Sequence, residues 1–443
     1  MLVISTSLML HIYRMTWRGV SPHHIIMGPQ RSSISNPRIE SLRVLFLASY
    51  FPKPTNPLMG TWALQQAQAF ARAGMDVEVV SLTSWVPKVF AWSSAAKGFS
   101  QCPPEHRWGD LRVHYPRWLL YQVGNAKQVM HRHPAAPMRI AWESAAPWLR
   151  THVVRRRPDV IYAHHSAVNG YVAHRLSRET GVPYVVTDHS FEDITDCERL
   201  PARRAFLEPI TRRAHLTIAV SRRMERDIRR VFPEARTTTV HNGVDPIPAH
   251  ATSAPRPPEL RGKTIVFSAG FFYERKQFPL LIRVFGEVAK RHPNAVLRIA
   301  GDGPLRASIE RAIAQSGAAT RIHLLGAIPH SQVLQELAWC DLFALIGRDE
   351  PLGSVFIEAA ASARPILLAN DGGFNDVFQS GAHGFSIPPS DAGAATLALD
   401  SLLASDSLRS EMGNAAQHLW GSRLTWDAHA DAMGEIFTAA RHS

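Results

Sequence analysis

The sequence predicts an α/β protein made of two doubly wound parallel-sheet domains that face each other across a deep cleft. Two observations carry that prediction. Short continuous apolar runs alternate with helical stretches of about 10–15 residues, the rhythm of βαβ units, in both halves of the chain. Between the halves, Pro246, Pro248, Pro255, Pro257 and Pro258 form a stiff linker, and the charge balance changes there. The 443 residues suffice for two or three domains, each burying its own core. The expected organisation is an extension over 1–40, a first domain over 41–246, a linker over 247–260, a second domain over 261–420, and a closing helix over 421–443 that packs back on the first domain.

In the first half, Val44-Leu45-Phe46-Leu47-Ala48 suits a strand buried on both faces. A helix over 61–73 follows, with Leu64, Ala67, Phe70 and Ala71 on one side and Gly74 at its end. Residues 77–80 form the next strand. A long irregular region then leads to a strand over 159–163, a helix over 168–180 ended by Gly181, and strands over 184–187 and 216–220. Ser221 is an N-cap for a basic helix reaching about Arg230. In the second half, strands are expected to begin at Thr264, Val296, Ile322, Leu342 and Ile366, separated by helices near 278–291, 304–316, 331–340 and 353–363.

Composition narrows the function. With 45% apolar and 19% charged residues this is a globular chain, neither disordered nor a coiled coil. Cys102, Cys197 and Cys340 form no CxxC pair and no disulfide framework, so a reducing compartment and no structural zinc are expected. No segment offers the roughly 18 uninterrupted apolar residues of a membrane span. The opening MLVISTSLMLHIY lacks a basic start and a cleavage site, so residues 1–40 are expected to be a poorly ordered extension or a misassigned start rather than a signal peptide. The net charge of +12 is uneven: 33 basic and 19 acidic residues precede Arg261 (+14), and 16 basic and 18 acidic follow from it (−2). Such a charge admits nucleic acid, an anionic membrane or an anionic substrate as partner.

Ligands of doubly wound sheets bind at the carboxyl ends of strands, so the loops there are the candidates for chemistry. Glu350 and Glu358 lie eight positions apart, one before a predicted helix and one inside it, with Leu352 and Gly353 at the helix start where free N–H groups attract anions. An acidic first turn that merely complements the helix dipole accounts for the same residues. Arg275 and Lys276 precede another helix, either as a diphosphate clamp or as solvated loop charges. Gly301-Asp302-Gly303-Pro304 and Asp371-Gly372-Gly373 close strands with tight turns. In the first half, the loop ending in Gly60 offers backbone N–H groups to anions, and Asp188, His189 and Ser190, with Asp193 beyond, follow a strand end.

Taken in order, these segments resemble the retaining glycosyltransferases of family 4, which have the GT-B fold of two facing Rossmann-like domains. The resemblance rests on Gly301-Asp302-Gly303-Pro304, residues 321–326, Glu350-Pro351-Leu352-Gly353, Glu358-Ala359-Ala360 and Gly372-Gly373 followed by Asp376. Val220-Ser221, His241-Asn242-Gly243-Val244-Asp245, Asp188-His189-Ser190 and Gly60 extend it over roughly residues 41–440.

The resemblance implies roles. Glu350 and Glu358 match the family's E-x7-E pair, the first toward the donor sugar and the second toward the nucleotide ribose. Lys276 matches the lysine on the donor diphosphate, with Arg275 assisting. Gly60, Gly301, Gly303, Leu352 and Gly353 support phosphate and sugar. His189, with Glu350 and Lys276, belongs to the catalytic set; Asp188, Ser190, Asp193 and Asn242 serve the acceptor or support the site. The co-substrate would be a nucleotide-diphosphate-sugar with no further cofactor, and, with no DxD motif, no metal. The product would be a sugar linked with retention to a glycan or lipid-linked acceptor of the cell-envelope, capsular or exopolysaccharide type. The chain departs from the pattern at Phe271, Gln277, Ile346-Gly347 and Ala363, which bears on donor identity. A nucleotide-sugar epimerase of the same fold and a nucleic-acid-binding protein are the alternatives. The basic residues lack interleaved aromatics for base stacking, so no nucleic-acid partner is expected. A cytoplasmic protein, attached peripherally to an anionic membrane through its basic half, is the expected setting. Trp85, Phe90, Trp92, Trp118 and Tyr121 would be its interfacial aromatics.

Overall fold

The computed structural model describes residues 42–443 apart from 58 and 121–123, so the extension expected over 1–40 and the side chain of Tyr121 lie outside the described residues. Among the described residues the first domain holds ten strands: β1 (Arg43–Leu47), β2 (Asp76–Val80), β3 (Thr83–Ser84), β4 (Glu105–Trp108), β5 (Leu111–His114), β6 (Arg117–Trp118), β7 (Val160–His164), β8 (Tyr184–Asp188), β9 (Leu216–Ala219) and β10 (Thr237–Thr239). Eight of them form one sheet in the order β10-β9-β8-β7-β1-β2-β5-β4, parallel except for the β4–β5 pair; β3 and β6 form a small ribbon. The second domain has β11 (Thr264–Ala269), β12 (Ala295–Ala300), β13 (Ile322–Gly326), β14 (Leu342–Leu345), β15 (Ile366–Ala369) and β16 (Gly384–Ile387). They form an all-parallel sheet in the order β13-β12-β11-β14-β15-β16.

The central strands are apolar runs because both faces are covered. On β1, Leu45 and Leu47 face one packed layer while Val44 and Phe46 face the other, all at most 2% exposed. The second layer is completed by the last helix, Trp426–Arg441, whose Trp426, Met433 and Phe437 pack among Phe46, Phe70 and Tyr162 of the first domain. The described residues belong to one compact unit.

Several expectations shift. Among the described residues between 80 and 160, besides β3–β6, stands the 22-residue helix Ala135–Arg156, which buries Met138, Trp142, Ala145, Leu149 and Val153. The helix expected over 168–180 starts at Tyr171 and is preceded by a wider turn, His165–Gly170. The proline-rich linker contains a short helix, Ala249–Ser253, begun at Pro248. Ser221 caps the helix Arg222–Val231, its hydroxyl accepting from Met224 N. All three cysteines are free and buried.

Candidate active site

Each sheet reverses its direction of growth once, beside β1 in the first domain and beside β11 in the second. At such points the loops leaving neighbouring strands diverge and open a crevice. A cavity of about 530 Å³ lies where these two crevices meet. The first domain contributes Tyr50 and Trp62 after β1, His165 after β7, and His189 and Ser190 after β8, with Val220 and Asn242 farther along. The second contributes Arg275 after β11 and residues 351–354 after β14.

On the second-domain side, the turn Glu274–Lys276 brings two cations onto one carboxylate oxygen. Glu350 Oε1 lies 2.6 Å from Arg275 Nη1 and 2.7 Å from Lys276 Nζ. Glu350 is buried, Lys276 nearly so, and Arg275 reaches the cavity wall. Burial lowers the Lys276 pKa, against the opposing pull of Glu350. The two cations expected to stand ready for a diphosphate are therefore engaged by the carboxylate expected beside the sugar. That loop is also gripped from the first domain, where Arg223 pairs with Asp349, donates to the Asp371 carbonyl and stacks over Phe191; within the second domain, Gly373 N donates to Glu350 O at 2.8 Å.

Two glycines begin the helices that border the cavity, each because no side chain fits. Gly353 has φ +78°, and a Cβ there would lie 2.6 Å from the Phe356 ring; the helix Ser354–Ala361 follows. Gly60 has φ +68°, and its Cβ would lie 2.4 Å from the Tyr50 carbonyl oxygen; the helix Thr61–Arg72 follows. Both helix starts leave backbone N–H groups without intrahelical partners.

On the first-domain side, His189 packs against Trp62 (4.3 Å between ring centroids), His164 (4.9 Å) and His165 (5.3 Å). Its Nε2 is shielded from solvent with no hydrogen-bond partner, and burial, reinforced by the neighbouring imidazoles, pushes its pKa well below 6.5. His189 is thus a neutral imidazole at pH 7. Asp188 accepts from Ser166 N (2.9 Å) and Ser166 Oγ (2.6 Å), fixing the turn after β7. Asp193 is held by Arg203 at 2.8 Å and lies 3.5 Å from His165 Nδ1. Ser190 Oγ donates to Glu192, and the Oδ1 of Asn242 has no partner.

The cavity thus brings together His189, Ser190, Asn242, Arg275, Leu352 and Gly353, with Glu350 and Lys276 in contact with Arg275. Other expected residues stand off its wall. Glu358 Oε1 lies 2.8 Å from His330 Nε2, which raises the His330 pKa. Gly301 and Gly303 let their loop pass the Gly270 carbonyl and Phe272. Tyr50, Trp62, His165 and Arg223 were not among the expected site residues. A His-His pair at a strand end was visible in the sequence, but only the backbone decides which of the two meets the cavity. Away from this wall, Glu78, His114 and His152 place potential metal-ligand atoms within 4.8 Å of one another, and the Arg156 guanidinium already neutralises Glu78.

Two doubly wound domains whose strand-end loops share one cavity define the GT-B class of glycosyltransferases. Family models agree: "Glycosyltransferase Family 4" matches residues 59–247 and "Glycosyl transferases group 1" matches residues 252–419, and the chain belongs to this glycosyltransferase family. It is 26% identical over 292 residues to a glycogen synthase of Mycobacterium tuberculosis (64% of this chain, 70% of that protein). It is 25% identical over 322 residues to an alpha-D-kanosaminyltransferase of Streptomyces kanamyceticus (67% and 82%). Among solved structures, a sucrose-phosphate synthase from Thermosynechococcus elongatus superposes with a TM-score of 0.70 at 17% identity (89% of this chain, 98% of that one). HepE of Anabaena, solved with UDP and glucose, does so at 0.64 and 17% (90% and 100%). Neither the epimerase nor the nucleic-acid alternative draws support from these matches.

Proposed function

We propose that this glycosyltransferase moves a hexosyl group from a nucleoside-diphosphate sugar to a hydroxyl of a glycan or lipid-linked acceptor, with retention and without a divalent cation. The observation that carries the reading is the Arg275–Glu350–Lys276 cluster, which meets the inter-domain cavity through Arg275, with the His189 imidazole also on the cavity's lining. Cleaving a sugar–diphosphate bond builds negative charge on the leaving group and positive charge on the sugar ring. Two cations and the helix start at Gly353 stabilise the first. The Glu350 carboxylate, freed as the cations turn to the diphosphate, serves the second from behind Arg275. His189 hydrogen-bonds a sugar hydroxyl without bringing charge to the ring. No carboxylate lines the cavity among the described residues. A front-face substitution, in which the departing phosphate takes the acceptor's proton, then accounts for retention. The solved relative holding UDP and glucose supports a nucleotide-sugar donor.

The test is a thermal-shift screen of UDP-, GDP- and ADP-sugars, followed by assay of the stabilising donor. A donor at 100 times its Kd adds about 2.7 kcal/mol. Lys276→Ala and Glu358→Gln are expected to cut transfer by orders of magnitude in folded protein, the product is expected to keep the donor's anomeric configuration by NMR, and EDTA is expected to leave the rate unchanged. Stabilisation by none of the donors defeats the reading.

Peripheral membrane attachment is part of the proposal. No helix among the described residues is long and apolar enough to cross a membrane. Trp85, Val89, Phe90 and Trp92 form an exposed apolar stretch beside Lys88, with Trp92 83% exposed. Trp118 and Leu120 contribute nothing to it, being buried in the core against the helix Ala135–Arg156. Sedimentation with anionic liposomes at low salt is expected; a protein that stays in the supernatant ends this part of the reading.

A further inference from the structure

Placing a donor against the second domain leaves part of the cavity unassigned: the wall formed by Tyr50, Trp62 and His165. The backbone there is unusual. His165 follows β7 directly and takes φ +65°, a left-handed conformation that costs a non-glycine residue roughly 1–3 kcal/mol. The surroundings hold it there. Asp188 fixes Ser166 through two hydrogen bonds, and Asn169 Nδ2 donates to the His164 carbonyl at 2.7 Å. Ser49, in the loop after β1, donates to Asn169 Oδ1 at 2.8 Å, tying the two loops together.

The strained turn brings an oriented imidazole to the cavity. His165 Nδ1 lies 3.5 Å from Asp193, whose other oxygen is gripped by the buried Arg203. Nδ1 faces this carboxylate, shielded from solvent and without a hydrogen bond of its own, so Nε2 is the nitrogen left for a ligand. Burial alone would lower the His165 pKa, but Asp193 and Asp188 raise it, whereas its neighbour His189 is driven down. Environments that push two adjacent groups apart are characteristic of residues with different tasks in one site. His165 stands on the first-domain wall, across the cavity from Arg275 and the helix start at Gly353, so it has no diphosphate to bind. The exposed ring of Tyr50, on the same wall, offers an apolar face.

The geometry points to His165 as the residue that holds the acceptor: its Nε2 hydrogen-bonds the attacking hydroxyl of a sugar or other polyol ring whose apolar face lies on Tyr50. Asp193 and Arg203 act through His165 as positioning residues. The inference rests on the donor reading above, and the experiment separates the two. Asparagine and glycine both tolerate positive φ, so His165→Asn and His165→Gly keep the turn. UDP, GDP and ADP are used to measure nucleotide affinity. Turnover of the stabilising nucleotide-sugar is followed by nucleotide release, with water and with methyl glucoside or methyl mannoside as nucleophile. For His165→Asn, nucleotide affinity and melting temperature are expected to stay near wild type while turnover falls roughly 100-fold, the scale on which misplacing a reacting group acts. Added imidazole should restore part of the His165→Gly turnover. Turnover within three-fold of wild type overturns the assignment. So does a parallel loss of nucleotide affinity, which would move His165 to the donor side. Failure of the wild-type protein to bind any of the three nucleotides overturns the donor reading, and this assignment with it.

Discussion

Glu350→Gln separates two roles of one carboxylate. In the unliganded protein Glu350 carries the counter-charge for Arg275 and Lys276, so its neutralisation leaves two cations on an uncharged amide. Arg275 is 36% exposed and turns to water, whereas Lys276 is 11% exposed and remains largely enclosed. Removing one partner of a fully buried pair costs about 3–5 kcal/mol. With one of the two cations able to escape, a loss of about 2–3 kcal/mol is expected, or roughly 4–12 °C for a domain of about 160 residues. Nucleotide binding should move the other way. A diphosphate competes with Glu350 for the same cations and is repelled by its charge. Removing a like charge at roughly 7 Å, in a medium of effective dielectric 20–40, is worth about 1–2 kcal/mol, or roughly ten-fold in Kd. Differential scanning fluorimetry with and without UDP, GDP or ADP, together with calorimetric titration, reads both effects. The variant should melt lower alone, show a larger nucleotide-induced shift, and transfer sugar far more slowly. Weaker nucleotide binding than wild type would refute the idea that the carboxylate and the diphosphate share these cations.

Two further predictions test the frame around the site. Gly353→Ala places a Cβ 2.6 Å from Phe356 at φ +78°, so the helix start must shift. A stability loss of about 1–3 kcal/mol is expected, together with weaker nucleotide binding, and wild-type kinetics would remove that helix start from the site. His429 and His174 are held at pKa values of about 4 by burial, with neighbouring arginines adding to the effect at His174. Folded protein keeps them neutral while unfolded chains protonate near pH 6.5. Their contribution is therefore complete above pH 6.5 and is lost as pH falls toward 4, at about 1.4 kcal/mol per pH unit for each histidine. Urea midpoints that stay flat between pH 6.5 and 4.5 would contradict this.

How much of this was legible in the sequence follows from what fixes each feature. Strands buried on both faces, such as β1 and β11, announce themselves as apolar runs because each residue meets a packed layer. The strand β10 did not, since its threonines sit half-exposed at the sheet edge. The helix Ala135–Arg156 was hidden by Pro147 and by polar neighbours, although Met138, Trp142, Ala145, Leu149 and Val153 follow helical spacing. At the site, residue types and order pointed to Glu350, Arg275 and Lys276. Their mutual pairing could not be read, because it depends on how the loops after β11 and β14 meet in space. His165 was invisible for a related reason: nothing in a His-His pair marks the left-handed backbone that turns one ring into the cavity. Gly301 and Gly303 show the converse, since a tight turn that admits a ligand and one that admits a neighbouring loop have the same sequence.

The packing of the helix Trp426–Arg441 into the first domain has a consequence for how the protein is made. Phe437 meets the rings of Phe70 and Tyr162, residues translated some hundreds of positions earlier. Between the last first-domain strand and this helix the ribosome must synthesise roughly 180 residues, which at about 5–20 residues per second takes roughly 10–40 s. Throughout that interval one face of the first sheet lacks its cover and presents an apolar surface to the cell. Chaperone dependence would then fall on the older half of a nascent chain, and a premature stop codon before Trp426 would injure the domain farthest from it in sequence.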